Sequence, residues 1–359
     1  MLNQERIQKT TANMAEMGID QLIITDPTTI FYLSGAWLHT GKRMLAMLVG
    51  RDTTCRLFVH EMFQQSDALG MPVTYFSDIE SPVAVLNAAL AKTGVVGIDS
   101  NWPARFLLEL QELNTTVKMV RGSFAVDGVR MCKDETEQAK MQEASRLNDL
   151  AMAKIQKEIQ PGRTELEMVE ILSGIYRELG TAGFSFDPII SYGAGAAEPH
   201  HTSDDTCVKP GDCIVIDIGC KKNEYCSDMT RTVFYKTVSP EAEKVYNLVK
   251  EANLSAIAAV KPGVRFCDID RAARSVIEAG GYGPFFTHRT GHCIGLDVHD
   301  FGDVSAANEL PVREGMIFSI EPGIYLKGKF GVRIEDLVLV TKDGCKVLNA
   351  HTKELTIID

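Results

Sequence analysis

Residues 213–233 read CIVIDIGCKKNEYCSDMTRTV. Apolar residues run up to Asp217, a polar Lys-Lys-Asn-Glu stretch follows, and a second β-prone run carries Asp228. The pattern predicts a β-hairpin. A turn centred between Lys222 and Asn223 pairs residue 217 directly with residue 228, with Cβ atoms roughly 4.5–5.5 Å apart. Like charges so placed are destabilising unless something positive lies between them. A divalent cation is the simplest such charge, and the question becomes whether the rest of the chain brings further ligands.

Working outward, the second half of the chain repeats one plan. A helix expected over 240–260 ends at Lys261-Pro262-Gly263, as an earlier one ends at Gln160-Pro161-Gly162. A helix of matching length follows each and stops at Leu179-Gly180 and at Gly280-Gly281. The stretch KPGDCIVIDIG (209–219) then aligns without gaps against REGMIFSIEPG (313–323), which sets Asp217 on Glu321. A spacing of roughly 100 residues is too long for a solenoid repeat. It predicts two copies of one α/β unit related by a pseudo-twofold axis. The repeat demands a second hairpin, and a turn centred on Gly328 in LKGKFG pairs Glu321 with Glu335. The apolar flanks VID and SIE imply burial, and four buried carboxylates without cations are strongly unfavourable.

Five of the eight histidines fall between 200 and 299: His200, His201, His288, His292 and His299. They lie in the loops that precede the two hairpins, so both loops deliver imidazole to the same face. Four carboxylates and an imidazole suit two divalent ions such as Mn²⁺, Co²⁺, Fe²⁺ or Zn²⁺. Not all five histidines can be ligands, which leaves some for the substrate. Two metals sharing a hydroxide and polarising a carbonyl point to hydrolysis of an amide or related bond.

The remaining sequence sets bounds on this reading. A chain of 359 residues suggests two domains. A net charge of −11 argues against nucleic acid or an anionic membrane surface as partner. No apolar run approaches a membrane span, and the polar N-terminus lacks a signal-peptide core, so a cytoplasmic setting is expected. The nine cysteines are scattered without a C-x-x-C pair and read as reduced packing residues. Cys213, Cys220 and Cys226 fit no zinc-ribbon spacing. The first part alternates helix and strand as an α/β domain. Helices are expected over 4–17, from Pro27 through Tyr32, over 81–92 and over 102–114, with strands at QLIIT, RMLAMLVG, TCRLFVH and VVGID. Residues 127–133 read as the connection, giving domains 1–127 and 128–359.

The motifs PHH, GDCIVIDIG, SDMTRT, TGHCIGLDVH, FSIEPGIY and GVRIED resemble those of the pita-bread metallopeptidases, in particular bacterial Xaa-Pro dipeptidases (prolidases) and the related small aminopeptidases P. The resemblance covers the whole chain, as a creatinase-like N-terminal α/β domain followed by a pita-bread domain. It implies that Asp217 binds one metal, that His292 and Glu321 bind a second, and that Asp228 and Glu335 bridge both. A bridging hydroxide would be the nucleophile and Glu321 the proton shuttle. His200 and His299 match histidines that contact the scissile carbonyl and the leaving side. His288 matches a further histidine near the site, and Phe186 a position lining the proline pocket. Arg333, two residues before Glu335, and Thr230, two after Asp228, are candidates for orienting carboxylates, and Arg333 is also a substrate-binding candidate. From position alone, a surface arginine and a β-prone threonine read the same way. The expected cofactor is two divalent ions per subunit, Mn²⁺ first, with Co²⁺, Zn²⁺ or Fe²⁺ as alternatives. The resemblance also implies a homodimer in which loop 34–43, with Trp37 and His39, reaches over the partner's site.

Three departures from the family pattern bear on specificity. Cys293 replaces the glycine after the metal histidine, and Asp300 replaces a glutamate. Phe301-Gly302-Asp303 stands where many prolidases have proline and then a polar or arginine residue. An aspartate there is a poor partner for a substrate carboxylate, and the extra His201 adjoins the same pocket. The leading expectation is cleavage of Xaa-Pro dipeptides. The alternatives are aminopeptidase P activity on longer peptides, creatinase-like C–N hydrolysis, or a non-catalytic binding module. Retention of all five metal ligands counts against the last two, and methionine aminopeptidases lack a comparable N-terminal domain.

Overall fold

Residues 1–65 and 69–359 are described by the computed structural model, which divides into Met1–Arg130 and Met131–Asp359. In the first unit the continuous apolar runs become central strands buried on both faces. These are β1 (Gln21–Ile24), β2 (Leu45–Gly50) and β3 (Cys55–His60). With β4 (Val73–Phe76), β5 (Gly94–Ile98) and β6 (Val117–Arg121) they form one sheet in the order β4-β3-β2-β1-β5-β6. The sequence reading contains neither β4 nor β6. Both are edge strands, half-exposed and too polar to show a continuous apolar run.

Helices α1 (Gln4–Glu16), α2 (Pro27–Ser34), α3 (Pro82–Asn87) and α4 (Ala104–Leu113) agree with the expected pattern, except that α3 starts as expected but stops well short of residue 92. Asn3, Asp26 and Ser81 cap the first three through side-chain oxygens. One expectation is corrected. The supposed connection from residue 127 is largely helix α5 (Phe124–Arg130). Ala125 and Val126 are buried, and the buried Arg130 donates to Thr29 at 2.9 Å, which holds the segment in place.

The second unit begins with α6 (Glu135–Ile155) and α7 (Glu165–Glu178), each opened by a capping box. Strands β7 (Ile189–Tyr192), β8 (Cys213–Ile218), β9 (Lys221–Lys222), β10 (Tyr225–Cys226) and β11 (Met229–Tyr235) follow. The repeat of the plan comes as α8 (Pro240–Ala259) and α9 (Phe266–Ala279). After them come β12 (Gly291–His292), β13 (Asp303–Val304), β14 (Ile317–Ile320), β15 (Gly323–Leu326) and β16 (Phe330–Arg333). The chain closes with β17 (Asp336–Val340), β18 (Cys345–Val347) and β19 (Ile357–Ile358). One sheet runs β19-β11-β8-β7 and its counterpart β14-β17-β18. Arg231 ties the two hairpins together. Its buried guanidinium donates to the Glu335 carbonyl at 2.6 Å and to Asp336 Oδ1 at 2.7 Å.

The first hairpin is shifted from the expected register. Thr230, not Asp228, lies opposite Asp217, and Tyr225 lies opposite Lys222. The turn is therefore centred between Asn223 and Glu224, which have φ of 49° and 73°. Two positive φ values mark the tight two-residue turn that matches strand twist, and asparagine tolerates that conformation well. The shift moves each partner by two positions, so Asp217 and Asp228 remain on one face as diagonal neighbours. The second hairpin has the expected register. Ile320 faces Asp336 and Gly323 faces Arg333, which places Glu321 opposite Glu335 between the two ladders. Glu224 is exposed and left-handed, so Glu224→Gly should raise the unfolding free energy by about 1 kcal/mol or less, read as a higher urea midpoint. An unchanged or lowered midpoint would contradict the turn geometry.

Candidate metal centre

Asp217 is the penultimate residue of β8, Asp228 precedes β11, and Glu321 and Glu335 stand at the break between the ladders of the second hairpin. All four line one cleft of about 610 Å³, together with His200, His288, His292, His299, Phe186 and Arg333. The cleft thus gathers the five expected ligands and the five expected substrate-side residues, while Thr230 and His201 lie outside its lining. Ligating atoms of Asp228, His292 and Glu335 all lie within 4.8 Å of one another. His292 Nε2 is 3.6 Å from Asp228 Oδ2 and 3.5 Å from Glu321 Oε1.

The histidine is prepared as a ligand. Its Nδ1 lies 3.2 Å from the Cys293 carbonyl, which can only accept, so Nδ1 carries the proton and Nε2 presents its lone pair to the carboxylates. Burial, then the neighbouring His299, pushes its pKa down to about 3. Ser319, two residues before Glu321, receives the His292 N–H at 3.0 Å and donates to Glu321 Oε1 at 3.1 Å. Gly291 makes this approach possible, because a Cβ there would sit 1.9 Å from the Ser319 carbonyl oxygen.

The carboxylates carry the signature of a cation site. Asp217 Oδ1, Asp228 Oδ1 and Glu335 Oε1 are buried and have no hydrogen-bond partner. A buried, unpartnered carboxylate oxygen is costly in any fold that does not use it. Burial first, then the repulsion of neighbouring carboxylates, holds the pKa values of Asp228 and Glu335 far above the carboxylate range. Burial likewise pushes Glu321 up to about 7. Divalent cations would reverse this by neutralising the cluster, and an all-oxygen set with one imidazole suits them. The residues present therefore fit the metal pair that the sequence implies.

Behind the carboxylates lies a buried network. Arg333 donates from Nη2 to Asp217 Oδ2 at 2.7 Å, from Nε to Thr230 Oγ1 at 3.1 Å and from Nη1 to Tyr325 Oη at 2.8 Å. Thr230 donates in turn to Glu335 Oε2 at 2.7 Å. Tyr325, the last residue of the FSIEPGIY motif, has no role expected from the sequence. Its signal is Gly323, where a Cβ would lie 2.5 Å from the Tyr325 hydroxyl. The hydroxyl also meets His288 Nε2 at 2.8 Å, while His288 Nδ1 donates to the Arg289 carbonyl. Both ring nitrogens of His288 and most of the Arg333 guanidinium are thus engaged with the protein itself.

The remaining candidates divide. His200 and His299 line the cleft and are exposed. His201 turns away to Glu165, at 2.7 Å. Glu165 also accepts the backbone N–H groups of Tyr192 and Asp204, so this second Glu–His–Asp group is an anchored loop rather than an open ligand set. Cys293 is fully buried, which pushes its thiol up to about 12 and leaves a packing residue. All nine cysteines are free. No described helix is long and apolar enough to cross a membrane.

Comparison with known proteins agrees with this geometry. Residues 139–342 match metallopeptidase family M24, and residues 6–132 match the creatinase/prolidase N-terminal domain. A Bacillus subtilis relative that carries a provisional dipeptidase name is 32% identical, over 98% of this chain and 99% of its own. A prolidase from Thermococcus sibiricus superposes with a TM-score of 0.93 at 30% identity, covering 100% of both chains. An X-Pro aminopeptidase from Thermotoga maritima gives 0.80 at 30% identity, covering 97% of this chain and 100% of that one.

Removing one charge from the cluster should have opposite effects with and without metal. Asp228→Asn relieves repulsion, so the chelated variant should melt at or above the chelated wild type. Added Mn²⁺ should then raise the wild-type melting temperature but not the variant's. A variant that unfolds after chelation would show a structural role instead.

Proposed function

The chain belongs to metallopeptidase family M24, a creatinase/prolidase N-terminal domain ahead of a pita-bread catalytic domain, and from that premise we propose that it hydrolyses Xaa-Pro dipeptides with two divalent cations. The observation that carries this reading is the set of partnerless buried oxygens on Asp217, Asp228 and Glu335, facing one cleft with Glu321 and His292. Asp217 would hold one ion, His292 and Glu321 the other, and Asp228 and Glu335 would serve both. Mn²⁺ is the first choice for this oxygen-rich set, with Co²⁺, Zn²⁺ or Fe²⁺ as alternatives. When bound, the ions supply an acidified water and an electrophile for the scissile carbonyl.

The chain's own groups complete the chemistry. Glu321, steadied by Ser319, takes the proton from the attacking water and delivers it to the proline nitrogen as the bond breaks. Proline's tertiary amide has no N–H for an enzyme to grip, so the ring must be held by shape. Phe186, Ile189 and Val298 supply the apolar wall of the cleft. His200 and His299 stand free at its edge, able to donate to the substrate carbonyl as negative charge develops there. Arg333, Thr230 and Tyr325 hold the carboxylates in position and do not touch the reacting atoms.

The second reading is release of the N-terminal residue from longer Xaa-Pro peptides, favoured by the likeness to an X-Pro aminopeptidase. Complete retention of the ligand set disfavours creatinase-like hydrolysis and a binding-only role. We also assign a homodimer with loop 34–43 reaching the partner's site. In support, Trp37 stacks on Phe31 at 4.3 Å and on His39 at 5.6 Å, giving the loop an ordered aromatic face. The decisive assay reconstitutes chelated enzyme with Mn²⁺, Co²⁺ or Zn²⁺ and offers Leu-Pro, Leu-Pro-Gly and Leu-Gly. Metal-dependent cleavage of Leu-Pro well above the others is expected. Faster cleavage of Leu-Pro-Gly would establish the aminopeptidase reading, and no cleavage of either proline substrate would refute both.

A further inference from the structure

A second cavity of about 420 Å³ adjoins the cleft and shares Arg289, His292 and His299 with it. Asp300 and Asp303 border this cavity, but neither is bare. Asp300 pairs with Lys133 at 3.1 Å, both side chains almost wholly buried. Asp303 Oδ1 accepts from Ser305 at 3.2 Å and from Asn308 at 3.3 Å. The acidity that the sequence placed at this rim is absorbed by the protein itself.

Arg289 is the opposite case. Its backbone is pinned on both sides. Arg274 donates to the His288 carbonyl at 3.0 Å, and His288 donates to the Arg289 carbonyl at 2.7 Å. Thr290 donates to Asp270 at 2.7 Å and, from its backbone, to the Val304 carbonyl at 2.8 Å. The Arg289 side chain is exposed and makes no hydrogen bond or ion pair with any described residue. The neighbouring cations are committed, Arg333 to Asp217 and Arg274 to Asp270. Arg289 lines both the cleft of the carboxylates and the second cavity, so it stands where the two meet.

We infer that Arg289 binds the free α-carboxylate of the substrate and thereby selects dipeptides over longer peptides. This rests on the Xaa-Pro reading above. In an Xaa-Pro dipeptide the carboxylate lies one Cα beyond the scissile nitrogen, on the leaving side of the cleft. A guanidinium on a fixed backbone offers it a two-pronged, charge-assisted bond. Adding a third residue turns that carboxylate into a neutral amide, and the chain must then pass Arg289 towards the second cavity. The arginine takes the role that Asp303 cannot.

The test compares wild type, Arg289→Met and Arg289→Lys, all metal-loaded, on Leu-Pro and on Leu-prolinamide, which lacks the carboxylate. Calorimetry with L-proline and prolinamide adds a readout independent of turnover. In the Met variant the ratio of kcat/KM for Leu-Pro over Leu-prolinamide should fall about tenfold or more, chiefly through KM. L-proline should lose affinity by a similar factor, and prolinamide should not. The Lys variant should recover part of the loss, since it keeps the charge but not the fork. An unchanged substrate ratio, or unchanged L-proline binding, in the Met variant overturns the assignment of Arg289 alone. Failure of the wild type to cleave any Xaa-Pro substrate overturns the functional reading and this inference with it.

Discussion

The mutual repulsion of four carboxylates within one buried cleft is the constraint on which the rest of this domain depends. Asp217, Asp228, Glu321 and Glu335 come from two hairpins, and burial makes the charges of Asp228, Glu321 and Glu335 expensive. A chain with no use for them would have replaced them with apolar residues of similar volume. Their placement is instead enforced from behind. Arg231 locks one hairpin to the backbone of the other, and Arg333 and Thr230 fix the direction in which the carboxylates of Asp217 and Glu335 point. Arg333 on Asp217 and Thr230 on Glu335 each engage one oxygen and leave the other without a partner. The unsatisfied half is what a metal ion would take.

The fold supplies this arrangement twice and then breaks its own symmetry. Each half contributes two helices and a hairpin with acidic residues at equivalent points. In the second half the strand of His292 is pressed against β14, through a glycine that permits contact with the Ser319 carbonyl. In the first half the corresponding loop carries His200 into the cleft but turns His201 outwards to Glu165. One repeat therefore gives an imidazole whose lone pair faces the carboxylates. The other gives an imidazole free to meet a substrate.

Much of this was legible in the sequence because it is carried by spacing. The gapless match of 209–219 to 313–323 located Glu321, and a glycine-centred turn located Glu335. What the sequence hid depends on contacts between distant segments or on small conformational choices. The register of the first hairpin turned on whether asparagine and glutamate would adopt positive φ, which apolar periodicity does not report. Strands β4 and β6 escaped because edge strands need not be apolar, and α5 because its anchor is a long-range bond from Arg130 to Thr29. The role of Tyr325 was hidden because its partners are eight and 37 positions away. Asp300 read as an acidic rim residue because nothing in the sequence pairs it with Lys133, 167 positions earlier.

The same asymmetry makes the two proposed metal positions chemically unequal. On the Asp217 side the donors are oxygens alone, and Arg333 already occupies Asp217 Oδ2. A cation there must share its ligand with a guanidinium, whose like charge opposes binding at close range. On the His292 side a neutral imidazole adds a borderline donor without adding charge, and Arg333 does not touch Glu321 or His292 in any hydrogen bond of the network described. The second position should therefore fill first and favour metals with higher nitrogen affinity, while the first stays selective for a hard ion. The arginine's retention has its own logic. A carboxylate cluster with no fixed positive charge would be free to swing whenever metal left. Arg333 keeps the Asp217 carboxylate aimed, so that the site waits in a geometry that needs only ions to complete it.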